Sequence, residues 1–571
     1  MGWENGRQNR WSHRRNSPCL KKILLYWHTL RFLKPIQIFG RIWFYFNRVK
    51  IRTAPSLKIR QFIGKWTEPM AKKSKLLSSN VFFFLNLEGD LREVGWGGAG
   101  KDRLWKYNLH YFDYLLSEDS TEKVEWHRTL INDWILKNPA FKGVGWESYP
   151  TSLRIVNWIK WTKAGSDLEA DWLQSLSFQA EWLSKRLEWH IRGNHLLSNA
   201  KALIFAGLFM EGKEPARWLR IGLEIMDREL EEQILPDGGH FERSTMYQCI
   251  VLEDLLDLIN IMESYQLESD DFKRIHTKLL YKAKLMENWL RAMIHPDGQI
   301  AYFNDSALNL AGDPASLFSY MDRLHYHDSR PEIPCHELES SGYFRLSNET
   351  GSATALLDVG PIGPDYLPGH AHADTLSFEL SVHGQRVVVN GGTSTYEEGH
   401  QRILERGTSA HSTVEIDHLD SSEVWSSFRV AKRAMPLNKS RDLSSSSKFV
   451  SCSHDGYSTR LKGQPIHQRT WKLAEEQLLI SDQIVSKSKH AAIARFIFHP
   501  EIQISQNKDD SSWALKKDSQ HLADIEILSG SGNIAKTTYA LSFGKLVETS
   551  VLEVCFENGK TSSRIVWDQN D

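Results

Sequence analysis

The spacing of apolar residues changes once along this chain, and that change limits its fold more than any other feature. From about Leu109 to Met293, apolar residues recur every three or four positions in successive segments divided by polar, Gly or Pro punctuation. That is the period of helices with a packed face. In 195–210, Leu196, Ala200, Leu203, Gly207 and Met210 fall on one stripe, and its small members permit close helix contact. Segments 152–161, 215–235 and 245–265 read the same way. After Pro331 and Pro334 the period drops to two, in short runs bounded by turn residues, and stays there to the C-terminus. In 375–382, Leu376, Phe378, Leu380 and Val382 alternate with Ser377, Glu379 and Ser381, which predicts a strand with one buried and one solvated face. Further strands are predicted at 385–390, 412–416, 469–473, 478–484, 491–498, 540–543 and 551–556.

These periods predict a multidomain α + β chain: a basic, partly helical lead-in over 1–100, an α/α toroid of antiparallel helical hairpins over 101–330, and an antiparallel β-sandwich over 335–571. Helical periodicity alone fits a solenoid equally well. With 571 residues, 41% of them hydrophobic, the chain can bury two cores.

A net charge of -1 gives no reason to expect nucleic acid as a partner. The first sixty residues differ: fourteen Lys and Arg stand against one acid, Glu4, interleaved with Trp27, Phe32, Trp43, Phe44, Tyr45 and Phe46. The segment reads as a helical lead-in packed on the toroid, with peripheral contact to an anionic membrane or an acidic glycan as the alternative. The stretch 23–46 is interrupted by Lys, Arg, His and Pro, so neither a membrane span nor a secretory leader is predicted. A cytoplasmic location follows as the expectation, with the periplasm or export as the alternative. Five widely spaced cysteines without a CxxC pair predict reduced thiols. The 21 Trp and 17 Tyr offer faces for stacking on sugars as well as core volume.

Three polar clusters stand out. Gly193-Asn194-His195 opens a helix, where Asn can face a cleft or simply cap. Residues 237–247 place Gly238 and Gly239 before a helix that brings Glu242, Arg243 and Tyr247 near its first turns; the tyrosine can transfer a proton or be a half-buried aromatic with a wet hydroxyl. In 368–374, an extended backbone would project His370, His372 and Asp374 from one face. Asn390 before two glycines and His411 at another strand start add further candidates, and two histidines with an oxygen ligand suit zinc. A histidine pair is more often hydrogen-bonded structure.

Together with Leu104-Trp105-Lys106-Tyr107-Asn108-Leu109-His110-Tyr111, Trp146-Glu147-Ser148-Tyr149-Pro150-Thr151-Ser152-Leu153-Arg154 and Leu376-Ser377-Phe378-Glu379, these clusters resemble the heparinase II/III family of polysaccharide lyases. The first two motifs resemble members found beside bacterial surface-polysaccharide genes. The resemblance implies a cleft between toroid and sandwich, an acidic polysaccharide substrate and β-elimination at a uronic acid. It assigns Asn194 and His195 to the uronate carboxylate, Tyr247 and His370 to proton transfer, and Trp146, Tyr149, Glu242, Arg243 and Asn304 to substrate binding. It places a structural zinc or other divalent cation on His372, Asn390 and His411. Asn390 departs from the aspartate common at that position and brings no charge to hold a cation.

Two rival readings stay open. A glycoside hydrolase would use paired acids drawn from Glu147, Asp237, Glu242 and Asp305. A non-catalytic glycan-binding or assembly protein would keep the fold without turnover.

Overall fold

The computed structural model describes residues 18–47, 49, 51, 58–325 and 335–568. The proline-bounded junction at 331–334 and the most N-terminal basic residues lie outside these. Thirteen α-helices occur among the described residues. Two, α1 (Pro18–Leu30) and α2 (Pro35–Phe46), precede a three-stranded meander (Leu76–Ser78, Val81–Phe84, Leu87–Asp90) and the single turn α3 (Leu91–Val94).

The toroid follows as α4 (Arg103–Tyr111), α5 (Val124–Lys137), α6 (Ser148–Lys163), α7 (Ala170–Ser184), α8 (Gly193–Phe209), α9 (Lys213–Gln233), α10 (Thr245–Tyr265), α11 (Asp270–Ala292) and α12 (Pro314–Arg323). Contacts run α4–α6–α8–α10–α12 around an inner ring and α5–α7–α9–α11 around an outer one. Sequence explains the division. Almost every residue of α8 is buried, as an inner helix requires, whereas α9 buries only a stripe that includes Trp218, Leu223, Met226 and Leu230. The two helices touch through glycines: a Cβ on Gly207 would lie 2.7 Å from Pro215 O, and one on Gly222 2.9 Å from Ala200 O. A valine at either position would force this hairpin apart.

Two antiparallel sheets make the sandwich. In the first, Ser531–Ser542, Lys545–Cys555, Ala492–Phe498, Gln385–Val389, Phe378–Val382, Ala353–Asp358, Tyr343–Ser347 and Cys335–Leu338 lie side by side, with Val414–Ile416 also on Ala492–Phe498. The second runs Pro436–Asp442, Lys448–His454, Ile466–Leu473, Gln477–Val485, Lys560–Val566, Gln520–Ser529, Ser512–Lys517 and Gln503–Gln506. Phe378, Phe496, Trp471, Ile480 and Ile565 fill the layer between them.

The outer face of the first sheet is not solvated, contrary to the alternation read from 375–382. All five residues of Phe378–Val382 are buried because that face docks on the toroid. His295, just beyond α11, lies 2.7 Å from Glu379 Oε2 and 2.8 Å from Ser381 Oγ, and the Tyr302 N–H donates to Glu379 Oε1 at 3.0 Å. Tyr302 also packs on Val389, Ile497 and Tyr539. The strand itself begins only at Phe378, because Leu376 adopts a left-handed φ of 63°. Residues 368–377 are therefore loop, and His370, His372 and Asp374 do not share a strand face.

Candidate active site

A cleft of about 1240 Å³ opens where the toroid meets the sandwich loops. Its walls include Tyr149, Asn194, His195, Glu242, Tyr247, His370 and Tyr396. The starts of two inner helices deliver the toroid's share. Gly193, at φ 55°, opens α8; a Cβ there would lie 2.6 Å from both Glu242 Oε1 and Leu367 Cδ2, so only glycine lets this helix end abut the Glu242 turn and the sandwich loop. Asn194 then sits in the first turn of α8 against the cleft, and its carboxamide has no hydrogen-bond partner among the described residues. The unpaired first-turn N–H groups of a helix favour an anion at such a place. His195, next in the turn, lies 3.2 Å by Nδ1 from Glu188 Oε1 and stacks on Tyr149 at 4.3 Å between centroids.

Ser244 caps α10 by accepting from the Tyr247 N–H at 3.1 Å, which fixes Tyr247 in the first turn. The Tyr247 ring lies 4.0 Å from the His370 ring, and its hydroxyl is 3.3 Å from that of Tyr396. Burial pushes the Tyr247 phenol well above its ordinary value, and Tyr396 and the charges of Asp305 and Glu242 push it further, so it carries its proton. Burial also raises the Glu242 carboxyl, against the pull of His370 and His195.

Behind His370 lies Asp305. One oxygen, Oδ2, is 2.8 Å from His370 Nδ1, and the other, Oδ1, is 2.8 Å from His372 Nε2. The Arg402 guanidinium, from α13 (His400–Arg406), clasps both oxygens, with Nη2 at 2.7 Å from Oδ2. Burial alone would raise the Asp305 carboxyl, but Arg402 and the two imidazoles hold it well below the usual range. With Asp305 ionised, the neutral tautomer of His370 carries its proton on Nδ1, and Nε2 faces the cleft with Glu242 Oε2 3.7 Å away.

The remaining predicted residues sit elsewhere. Trp146 is buried among Trp134, Phe141, Phe178 and Trp182, and its indole N–H donates to Asn138 O. Arg243 turns away at φ 57° and spends its Nε on Ser341 O at 2.9 Å, tying the toroid to the sandwich. Asn304 is a latch: its Oδ1 accepts from the His372 N–H at 2.9 Å and its Nδ2 donates to Arg243 O at 3.2 Å. None of these three lines the cleft. Conversely, Arg402 and Tyr396 had no sequence signal, and Asp305 stood out only as a candidate hydrolytic acid. The polar run 304–306 directly after apolar 300–303 was the signal available for it.

His372, Asn390 and His411 are all buried. His372 Nδ1 and His411 Nε2 are 3.2 Å apart, near the roughly 3.3 Å expected of two nitrogens on tetrahedral zinc but equally a hydrogen bond between imidazoles. Asn390 Oδ1 already accepts from the Ser412 N–H at 3.0 Å, and no group of three His, Cys, Asp or Glu suited to a metal occurs among the described residues. The donors these residues bring are two neutral imidazole nitrogens and an amide oxygen, a set without the negative charge that would strengthen its hold on a divalent cation.

Comparison with known proteins adds to this geometry. Residues 105–330 match the heparinase II/III N-terminus, and residues 330–568 match the heparinase II/III-like C-terminal domain. A heparin-sulfate lyase of Bacteroides stercoris is 26% identical over 444 residues, 66% of this chain and 64% of that protein. Another, from Pedobacter heparinus, is 25% identical over 55% of this chain and 48% of its own. The chain thus matches between about half and two thirds of the length of these curated relatives. A crystal structure of heparinase III superposes over 97% of this chain and 93% of its own with a TM-score of 0.69 at 16% identity, a likeness of fold.

Proposed function

The chain belongs to the heparinase II/III family, and on that premise we propose that it is a polysaccharide lyase cleaving a uronate-containing glycan by β-elimination. The observation that carries this reading is the pairing of a proton-bearing phenol, Tyr247, with an imidazole, His370, oriented by an ionised carboxylate, 4.0 Å apart on one cleft wall. The obstacle in this chemistry is the uronate carboxylate, whose charge opposes carbanion formation at C5. Asn194 and the first turn of α8 offer donors to it, where negative charge develops in the transition state. His370 Nε2 takes the C5 proton, the electrons form the C4–C5 double bond, and the C4–O bond breaks as Tyr247 gives its proton to the departing oxygen. Return of the proton from His370 to Tyr247 restores the starting state.

Hydrolysis is less well supported by the same geometry. Of the four acids that the sequence offers as candidates for it, Glu242 alone lines the cleft. Glu147 pairs with Arg103 at 2.7 Å, Asp237 accepts from the Ser341 N–H at 2.7 Å, and Asp305 is clasped by Arg402.

The cleft's charges also support a substrate class. Most of its cations are already paired: Lys72 with Glu253, Lys160 with Asp257 at 2.9 Å, Lys201 with Asp254 at 2.7 Å and Arg192 with Glu229 at 3.2 Å. Arg41 and Arg429 are cleft cations with no ion pair among the described residues. Dense sulfate would need many unspent cations. The substrate we propose is therefore a uronate polymer with little or no sulfate, such as a bacterial surface polysaccharide.

The test is to follow ultraviolet absorbance of unsaturated uronate with unsulfated heparan backbone, hyaluronan, alginate and heparin as substrates. Absorbance is expected from an unsulfated polymer and least from heparin. New reducing ends without absorbance would make the protein a hydrolase, and fastest cleavage of heparin would overturn the charge argument.

A further inference from the structure

No acidic residue occurs between Glu4 and Glu68, a stretch holding fifteen Lys and Arg. Within it, α1 and α2 are each fixed to the body by one face. On α1, Thr29 Oγ1 donates to Val430 O at 3.2 Å and accepts from the Trp425 indole N–H at 3.1 Å, anchoring the helix to the sandwich. On α2, Phe44 packs on His190 at 4.3 Å and under the Arg186 guanidinium at 3.6 Å, anchoring the helix to the toroid.

The opposite faces are apolar and are not covered by any of the described residues. Ile23 and Trp27 are four apart on α1; Ile36, Phe39, Trp43 and Phe46 follow helical spacing on α2. Trp27 is 63% exposed, Phe39 71%, Trp43 66% and Phe46 81%. Single exposed hydrophobics are ordinary on a protein surface, but such runs on adjacent helices mark a contact site. Charge identifies its partner. Lys22 and Arg31 make no ion pair among the described residues, and the segment offers no acid to balance them. Aromatic side chains with Lys and Arg at their edge suit the boundary between lipid headgroups and acyl chains, and an anionic leaflet attracts the cations. No helix among the described residues is long and apolar enough to cross a membrane, so this pair would lie on one.

We propose that α1 and α2 form a platform that seats the protein on an anionic lipid bilayer. Tyr26, Leu30, Ile38 and Ile42 of the same helices line the cleft, so seating would bring the cleft mouth to the lipid–water boundary. The platform stands independently of the lyase reading.

Full-length protein is sedimented with vesicles of phosphatidylcholine alone or mixed with phosphatidylglycerol. Binding is expected to the mixed vesicles, weakening as salt rises, and at least tenfold less to phosphatidylcholine alone. The variant Trp27→Ser/Phe39→Ser/Trp43→Ser/Phe46→Ser, folded by circular dichroism, should lose binding tenfold or more. Lys22→Glu/Arg31→Glu should remove the preference for phosphatidylglycerol. Wild-type protein left in the supernatant, or equal binding by the serine variant, would overturn the proposal. So would a wild-type dimer that the serine variant dissolves without any vesicle binding, because the face would then belong to a second copy.

Discussion

Two imidazoles two residues apart, His370 and His372, take opposite oxygens of the same carboxylate, and their surroundings give them different tasks. His370 keeps 14% of its side chain exposed on the cleft; His372 keeps none. Burial drives His372 down to about 4, despite the nearby Asp305 charge, and holds it neutral as part of a hydrogen-bonded chain through His411. In the proposed elimination the same carboxylate would orient the base on its wet side, while on its dry side it holds the buried His372 in place. Arg402 makes this workable by keeping Asp305 ionised inside the protein.

The largest expected effect comes from breaking both sides at once. Asp305→Asn strands the buried Arg402 charge and frees both imidazoles, so denaturant titration should show a loss of about 3–5 kcal/mol together with loss of turnover. Next, the single changes should separate the two tasks. His370→Ala is expected to lower turnover about 10³-fold with stability within ~1 kcal/mol of wild type, as measured by kinetics and melting. His372→Ala should instead cost about 2–3 kcal/mol of stability by leaving polar partners buried and unmet. If both variants lose stability equally, the division of labour is wrong.

A third change sharpens the dry side. Asn390→Asp supplies the missing anionic oxygen near His372 and His411, so zinc at about 100 times its Kd should stabilise that variant by about 2.7 kcal/mol while leaving wild type unchanged. Equal zinc response in wild type would restore the metal site.

The smallest effect concerns buried imidazoles in the toroid. Burial lowers His110 and His240 to about 3, below the ordinary value of 6.5. Between those limits the unfolded chain binds more protons, so their stability contribution is complete above about pH 6.5 and is lost as pH falls toward 3. From pH 7 to pH 6 each should cost about 0.7 kcal/mol, read from urea midpoints. His110→Gln should flatten that slope; an unchanged slope would assign the loss to other groups.

The architecture was readable because periodicity reports backbone type directly. Helix α10 has the predicted bounds 245–265, and the change from period three or four to period two marks the passage from toroid to sandwich. Periodicity cannot report what covers a second face, and so Glu379 and Ser381 looked solvated although His295 of the toroid lies against them. The site was less legible for a related reason. Asn194 and Tyr247 sit at helix starts and His370 in a Gly-bounded loop, where short motifs stand out, whereas the contacts that hold Asp305 ionised exist only once Arg402, 97 residues later, folds onto it. Trp146 shows the converse limit, since a tryptophan in a motif packs a core as readily as it meets a sugar.

The most direct measurement is the rate of cleavage of an unsulfated uronate polymer carrying deuterium at C5. Slower turnover than with the protiated polymer, and unsaturated products that disappear in His370→Ala, are the outcome predicted here. Equal rates accompanied by saturated products would contradict proton abstraction by His370 and with it the elimination chemistry.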